Sequence, residues 1–354
     1  MSQYKASMER LARLDIDGAN NDEDENLISV DVDGSTKGVE PDDRPSTPNH
    51  NPLLSWLEAH AGVIMMPILP LLWCALFLTT MDRQSILSAW AMPLLGICSA
   101  SLANAVPVGG GIVFVPVLGF FGVKLQLGTA FAVATMTFGN GVFGFLSWLR
   151  KDPGSIAWGA VPYAVLPAWI GSAYGTCNLF MTEAASRHLF AFFCVQVAVV
   201  VGWGLYRNGG TNEKDGVFSL VDDIIRTESI TDRTPMKALI AILSSFTAGT
   251  ILVPHIGIGN AMTTFLVCTF VWRLPAKSSV VTGILVGGWT SAVPFAIHLG
   301  VIGDVPVHLW VMGLPGVYVG ARIAPLVHER LGIVTVLMAF VVFLLGTAAL
   351  MVFT

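Results

Sequence analysis

The chain has 354 residues, of which 54% are hydrophobic and only 12% are charged, and its mean hydropathy is +0.68. This composition excludes an ordinary soluble globular protein and predicts an integral membrane protein. The net charge of -5 leaves no broad basic surface, so we expect no nucleic-acid partner.

Residues 1–57 differ from the rest of the chain, because they carry 12 acidic against 5 basic residues and few large apolar side chains. This composition predicts a disordered acidic tail. No basic start followed by a short apolar core and a small-residue cleavage site is present, so we predict no secretory signal peptide. The apolar segment at 58–82 predicts an extra transmembrane helix that serves as the insertion signal.

The first of two predicted transmembrane repeats covers residues 84–206 and contains near its start a glycine-broken apolar segment, VPVGGGIVFVP, from Val106. Gly109, Gly110 and Gly111 lack a Cβ, so the backbone can leave helical geometry and a ligand can approach it. The helix that resumes after such a break presents unpaired N–H groups and a positive dipole end. We predict an anion-binding segment here, with close helix packing as the alternative.

The next apolar span carries Thr135 and Asn140, whose side chains are expected to line a substrate cavity. Such groups also cross-link helices or bond their own backbone, which is the alternative for each. Further along, Gly171 and Gly175 form a GxxxG pattern that is typical of helix packing. A polar linker loop is then predicted at 207–236.

The second predicted repeat covers 237–354 and contains a related broken segment, VPHIGIGNAM, from Val253. We expect Gly257, Gly259 and Asn260 to bind the anion from this side, because paired helix breaks in two halves of a chain point to a transporter binding site. Each of the two long charge-free stretches that contain these breaks is interpreted as one broken membrane element and not as two complete spans.

Three polar residues of this repeat are further candidates. His255 lies inside the second broken segment and is the candidate for proton coupling, because ionisable residues inside a membrane are functional candidates and histidine titrates near neutral pH. A neutral, helix-bridging histidine is the alternative. His298 ends the following span, where an interfacial position is the alternative to a functional one, and Thr282 is expected to line the cavity.

The two halves correspond at a nearly constant spacing. Val106 and Val253 are 147 residues apart, as are Thr135 and Thr282, and the GxxxG pattern recurs at an offset of 145, from Gly316 to Gly320. This indicates an internal duplication.

Continuous apolar runs without alternation favour helices as the spanning elements. We therefore predict an all-α polytopic fold with one extra N-terminal helix and two repeats of about four transmembrane elements, each opening with a Gly-broken helix. An even number of crossings per repeat makes the repeats parallel, whereas counting each long stretch as two spans makes them inverted. The numbers of lysine and arginine residues on the two sides of the predicted spans do not decide how the protein is oriented in the membrane.

The sequence offers no sign of catalysis or of a cofactor. The cysteines lie in apolar runs at spacings unlike a zinc or disulfide framework, which predicts structural thiols and no metal, at Cys74, Cys98, Cys177, Cys194 and Cys268. There is no Gly-x-Ser-x-Gly, paired intramembrane aspartate or His-Glu-x-x-His arrangement, so we do not expect an enzyme.

On these motifs the chain resembles the sulfite exporter TauE/SafE family, also called the toluene sulfonate uptake permease family, over residues 88–354. The resemblance rests on the glycine triplet followed by Pro116, on its second copy, on the spans centred on Thr135 and Thr282, and on the late GxxxG helices. It implies a secondary transporter of sulfite, sulfonates or other small organic anions, coupled to a proton or another cation. The partners implied are the small anion and the lipid bilayer, of the plasma membrane or an internal membrane.

The alternative function is a non-transporting membrane scaffold or sensor whose acidic tail recruits partners. Deletion of residues 1–50 separates the two, because a transporter core keeps its flux without the tail and a scaffold loses its function.

Overall fold

The computed structural model describes most of the chain after residue 67, in the ranges 68–104, 109–207, 235–331 and 333–353. Every regular element in these ranges is helical, so the predicted all-α class is confirmed for them. The predicted acidic tail lies outside the described residues, as do the first part of the predicted extra helix and residues 208–234 of the predicted linker.

The helices of the first half of the chain are, in order, α1 (Ile68–Thr80), α2 (Arg83–Ser88), α3 (Met92–Ala103), α4 (Gly111–Phe120), α5 (Leu125–Phe138), α6 (Phe145–Lys151), α7 (Val161–Cys177) and α8 (Glu183–Arg207). The carboxylate of Asp82 accepts a hydrogen bond from Ser85 N at 2.8 Å and so caps the start of α2. A π-helical segment, Gly139–Gly144, joins α5 to α6 into one continuous span.

The second half forms α9 (Pro235–Ile256), α10 (Ala261–Leu266), α11 (Ala276–Ile297), α12 (Val307–Leu331) and α13 (Ile333–Phe353). π-helical segments follow α10 at Val267–Val271 and α11 at His298–Ile302. Gly303 then takes a positive φ of 74°, a left-handed conformation that ends the helix and that glycine adopts without strain.

Four helical segments in the described ranges are long and apolar enough to cross a membrane, namely Leu125–Arg150, Glu183–Trp203, Pro235–Ile256 and Ser278–Ile302. The first and last of these have 67% of their most apolar window buried, against 33% and 28% for the other two. The α5 and α11 spans are therefore central, and α8 and α9 present much more of their surface to the surroundings, as lipid-facing helices do.

The two halves of the chain pack into each other. Helix α3 lies along α12, α7 lies along α9, α8 lies along α13, and α5 lies against α11. Helix α1 is held to α12 by the indole of Trp73, whose Nε1 donates a hydrogen bond to Val311 O at 2.8 Å. The largest buried cluster accordingly draws its side chains from both halves.

The GxxxG glycines lie where helix backbones touch. A methyl group added at Gly175 on α7 would lie 3.0 Å from the carbonyl carbon of Thr250 on α9, and one at Gly316 on α12 would lie 2.7 Å from that of Pro93 on α3. In each case the carbonyl oxygen would be closer still. The packing role predicted for both patterns is confirmed by these contacts.

We expect the Gly316→Ala variant to lower the stability of the protein, because the added methyl group meets backbone atoms that have no rotamer to change. Overpacking of this kind costs about 1–3 kcal/mol. Thermal unfolding in detergent measures the effect. Gly346→Ala on α13 is the matched control, since a methyl group there meets nothing within 4 Å. Equal melting temperatures for the two variants would show that α12 can retreat from α3 at no cost.

Candidate functional site

The glycine-containing segments of the two halves touch each other. Helix α4 begins at Gly111, and a methyl group added there would lie 2.8 Å from the carbonyl carbon of Gly257. A methyl group at Gly109 would lie 3.5 Å from Gly259 N. The structure thus brings four of the predicted site glycines together, and we call residues 109–111 and 257–260 the glycine junction. The preceding Val106 lies outside the described residues.

The start of α10 is buried in this junction. Helix α9 ends at Ile256, Gly257 turns the chain with a φ of 65°, and α10 begins at Ala261. The first hydrogen bond of the new helix runs from Thr264 N to Asn260 O at 3.0 Å. No described carbonyl accepts from the backbone N–H groups of residues 258–262. A buried helix start with unused N–H groups is a place where an anion is stabilised.

Met136 lies between the two halves of the junction. A methyl group at Gly109 would lie 2.8 Å from Met136 Sδ, and one at Gly259 would lie 2.5 Å from Met136 Cε. The Met136 side chain is only 1% exposed. Sequence reasoning missed this residue, although its place directly after Thr135 in the middle of a span was the available signal.

Several polar atoms around the junction are buried and have no hydrogen-bond partner among the described residues. They include Thr129 Oγ1, Asn140 Nδ2 and Asn260 Oδ1. The Cα of Thr129 would lie 3.1 Å from a methyl group at Gly257, and Asn260 Nδ2 makes only a long contact of 3.5 Å to Ala164 O. Buried polar groups are normally paired, so unpaired ones beside a buried helix start favour a ligand or water position.

Asn140 reaches the junction through a helix crossing. A methyl group at Gly288 on α11 would lie 2.6 Å from Gly141 Cα and 2.7 Å from the carbonyl carbon of Asn140. Gly287 O in turn would lie 2.8 Å from a methyl group at Gly259. Contact between α5 and α11 therefore connects Asn140 to the junction.

Gly110 is oriented by a neighbouring side chain. The hydroxyl of Ser99 on α3 donates a hydrogen bond to Gly110 O at 3.2 Å, and both residues are buried. This bond holds the Gly110 carbonyl against α3. The opposite face of the backbone of residues 109–111 is the one that faces Met136 and Gly259.

The hydroxyls of the two predicted cavity threonines are engaged elsewhere. Thr135 Oγ1 donates to Phe131 O of its own helix at 2.8 Å, and Thr282 Oγ1 accepts from Ala157 N, before α7, at 2.9 Å. Both side chains are buried. In this conformation both brace backbone; Thr135 has used its hydroxyl hydrogen, whereas Thr282 accepts and keeps its own hydrogen available to donate.

His255 contacts the segment that follows α7. Its ring meets Phe180 edge to face, with centroids 4.5 Å apart, and its Nε2 has no hydrogen-bond partner among the described residues. His255 is 4% exposed. The structure therefore shows a buried ring with an aromatic neighbour, and the predicted role of His255 in proton coupling stays a prediction.

Comparison with protein families gives one match. The family model described as Sulfite exporter TauE/SafE matches residues 92–351, which includes both segments of the junction and every helix from α3 onward. No curated protein and no solved structure matches the chain.

Proposed function

Because this chain belongs to the sulfite exporter TauE/SafE family, we propose that it is a secondary transporter of small anions, sulfite or other organosulfur and organic anions. The family is one of membrane transporters and not of enzymes, and the apolar helices make this chain an integral membrane protein. In our proposal, access to the glycine junction alternates between the two sides of the membrane.

The observation that supports this site best is the buried start of α10. Backbone N–H groups of residues 258–262 have no described carbonyl partner and carry the positive end of the helix dipole. A sulfite or sulfonate group has several oxygens that accept from such donors. Backbone donors bind an anion without the desolvation cost of a buried lysine or arginine.

Each predicted site residue has a role in this proposal. Gly109, Gly110 and Gly111 let the backbone of α4 approach the anion, while Gly257 and Gly259 do the same at α10. The Nδ2 groups of Asn140 and Asn260 donate to anion oxygens, that of Asn260 in place of its long contact with Ala164 O. Thr135 and Thr282 hold the backbone of α5 and of the Ala157 segment in place, and Met136 fills the space between the breaks when no anion is present.

The packing supports two duplicated repeats. Gly141 and Gly288 lie 147 residues apart, the spacing that also separates Thr135 from Thr282, and they touch each other where the π-helical end of the α5 span crosses α11. The contact of α3 with α12 has its counterpart in the contact of α9 with α7. Contacts of this reciprocal kind are expected of two repeats related by a pseudo-two-fold axis that passes through the α5–α11 crossing.

Anion uptake into proteoliposomes tests the proposal. Purified protein is reconstituted and supplied with radiolabelled sulfite, thiosulfate or a small sulfonate, with and without an imposed pH gradient. We expect saturable uptake of at least one of these anions. Folded protein that moves none of them in either condition would contradict the proposed function.

The Gly110→Leu variant tests the site within the same assay. A methyl group at Gly110 lies 3.3 Å from Phe114 Cε2 and from Ser99 Oγ, on the α3 side of the segment, so a leucine there displaces the backbone of residues 109–111 toward Met136 and Gly259. We expect the variant to fold and to lose uptake. Gly119→Leu on the same helix is the control, since its nearest neighbour, Met351 Cε, is 3.8 Å from the added methyl group. Normal uptake by Gly110→Leu would exclude a backbone site here.

A further inference from the structure

A buried histidine and a carboxylate form a pair at the end of α11. His298 Nδ1 lies 2.7 Å from Asp304 Oδ1, and the two side chains are 1% and 16% exposed. The left-handed turn at Gly303 makes this contact, because it folds the chain back so that Gly303 N and Asp304 N both donate to His298 O. The pair is thus buried on the histidine side and reaches water through the carboxylate.

The second ring nitrogen of His298 is available to a proton. Since the Asp304 carboxylate can only accept, Nδ1 carries a hydrogen in either protonation state of the ring. Nε2 is buried and has no partner among the described residues, so a proton gained or lost by the ring is held there. Gain of that proton changes the net charge of the pair from minus one to zero.

The pair lies on the same face of α11 as the glycine junction. Ser291 Oγ would lie 3.2 Å from a methyl group at Gly259, and His298 follows seven residues later, which is two helical turns and about 10 Å along the axis. Pro294 lies between them and removes one backbone hydrogen bond, so the end of α11 can tilt relative to the junction.

The same pair is tied to the first half of the chain. Gln126 Nε2, in the first turn of α5, donates to Asp304 Oδ2 at 3.2 Å. The titratable or charged groups nearest to the pair on the neighbouring elements are Lys124, directly before α5, and His308, in the first turn of α12, with Asp82 close to His308. The others on these elements lie further along them, namely Lys277 on α11 and Arg322, His328, Glu329 and Arg330 on α12.

We propose that His298 and Asp304 form the proton-binding site that couples proton movement to anion transport; the proposal rests on the proposed function. With the ring neutral, the pair carries one negative charge and repels the anion, and protonation removes this charge. For a charge separation of about 10 Å and an effective dielectric constant of about 20, the difference corresponds to about tenfold in anion affinity. In this proposal His298 is the proton-coupling residue, a role that the sequence analysis predicted for His255.

Two substitutions should act in opposite directions. His298→Gln leaves a permanent negative charge on Asp304, so KM for the anion should be about tenfold higher than that of the wild type with its pair protonated, and should lose its dependence on pH. Asp304→Asn removes the negative charge, so KM should be about tenfold lower than that of the wild type with its ring neutral. A pair that only fastened the end of α11 would give both variants the same change in KM, or none.

The measurement is the KM for sulfite in proteoliposomes at several pH values, together with counterflow of sulfite in the absence of any gradient. We expect His298→Gln to keep counterflow and to lose stimulation by a pH gradient, while His255→Gln and His308→Gln keep both. Gradient-stimulated uptake by His298→Gln, or loss of counterflow by folded His298→Gln, would overturn the proposal.

Infrared difference spectra of the purified protein, recorded on a change of pH, detect protonation of the site. They do not depend on any transport measurement. The chain has seven histidines, so we expect the imidazole band of the wild type to lose one component, that of His298, in His298→Gln. An unchanged band in that variant would overturn the site even if anion flux is normal. If instead no anion moves while the band behaves as expected, the proposed function fails and the proton site stands.

Discussion

The Gly111→Ala variant is expected to lose anion uptake. The added methyl group would lie 2.8 Å from the carbonyl carbon of Gly257 and would overlap its oxygen. Neither atom belongs to a side chain, so no rotamer change relieves the overlap, and α4 and the start of α10 must separate. We expect uptake to fall at least about tenfold, which corresponds to about 1.4 kcal/mol of lost stabilisation, and unfolding free energy to fall by about 1–3 kcal/mol.

The matched control is Gly119→Ala, on the same helix and facing almost open space. Uptake is normalised to the monodisperse, folded protein in each preparation, so that lost stability is not counted as lost transport. A second variant, Gly110→Ala, introduces the same methyl group where the nearest atoms are side-chain atoms at 3.3 Å, and it should retain most of its uptake. Full uptake by Gly111→Ala would mean that contact between the two segments is not needed for transport.

Sequence patterns were sufficient for the membrane class, for the family and for the packing role of the GxxxG glycines. Long apolar runs leave only helices as spanning elements, and a glycine row on one helix face indicates a backbone contact whatever the partner helix is. Which helices meet is a tertiary property. The contacts of Gly175 with α9 and of Gly316 with α3 join halves of the chain that no local pattern connects.

Polar candidates were harder to interpret from the sequence, because a threonine can bond its own helix, another backbone or a ligand. Thr135 and Thr282 occupy corresponding positions, yet the first bonds Phe131 O and the second accepts from Ala157 N. The rotamer of a threonine and the position of the neighbouring backbone decide which group its hydroxyl bonds. The periodicity of the sequence specifies neither. The predicted role of these residues in lining a cavity therefore stays a prediction.

The two histidines illustrate the same limit. His255 is prominent in the sequence because it lies inside a broken segment, whereas His298 lies near the end of a span, where an interfacial position is the alternative. In the structure His298 is the more deeply buried residue and has a carboxylate partner. That partner comes from a left-handed turn at Gly303, which a sequence pattern does not specify for a single glycine.

Met136 had no polar or glycine signal at all, and the second large effect is expected there. Its thioether lies between Gly109 and Gly259. In the proposed site the anion lies there, beside the backbone N–H groups of α10, and therefore displaces the side chain. Methionine is unbranched and has three rotatable bonds, so it can leave this space without movement of the backbone.

We expect Met136→Leu to fold normally and to transport slowly. The exchange nearly conserves volume and costs less than about 1.5 kcal/mol of stability. Leucine is branched at Cγ and has fewer rotamers, so clearing the junction requires α5 itself to move, and we expect the maximal rate to fall about tenfold. The measurement is the initial rate of sulfite uptake over a range of concentrations.

Met136→Ala distinguishes a side chain that the anion must displace from one that only fills space in the core. Removal of the thioether leaves a cavity in the core and should destabilise the protein by about 2–5 kcal/mol. The same cavity exposes the N–H groups of α10, so KM should fall even though the fold is weaker. Met351→Leu on α13 is a control for exchange of a buried methionine away from the junction, since its Cε lies near Gly119 and near no glycine of the junction. If Met136 only fills space, Met136→Leu keeps the wild-type rate and Met136→Ala loses stability without any decrease in KM.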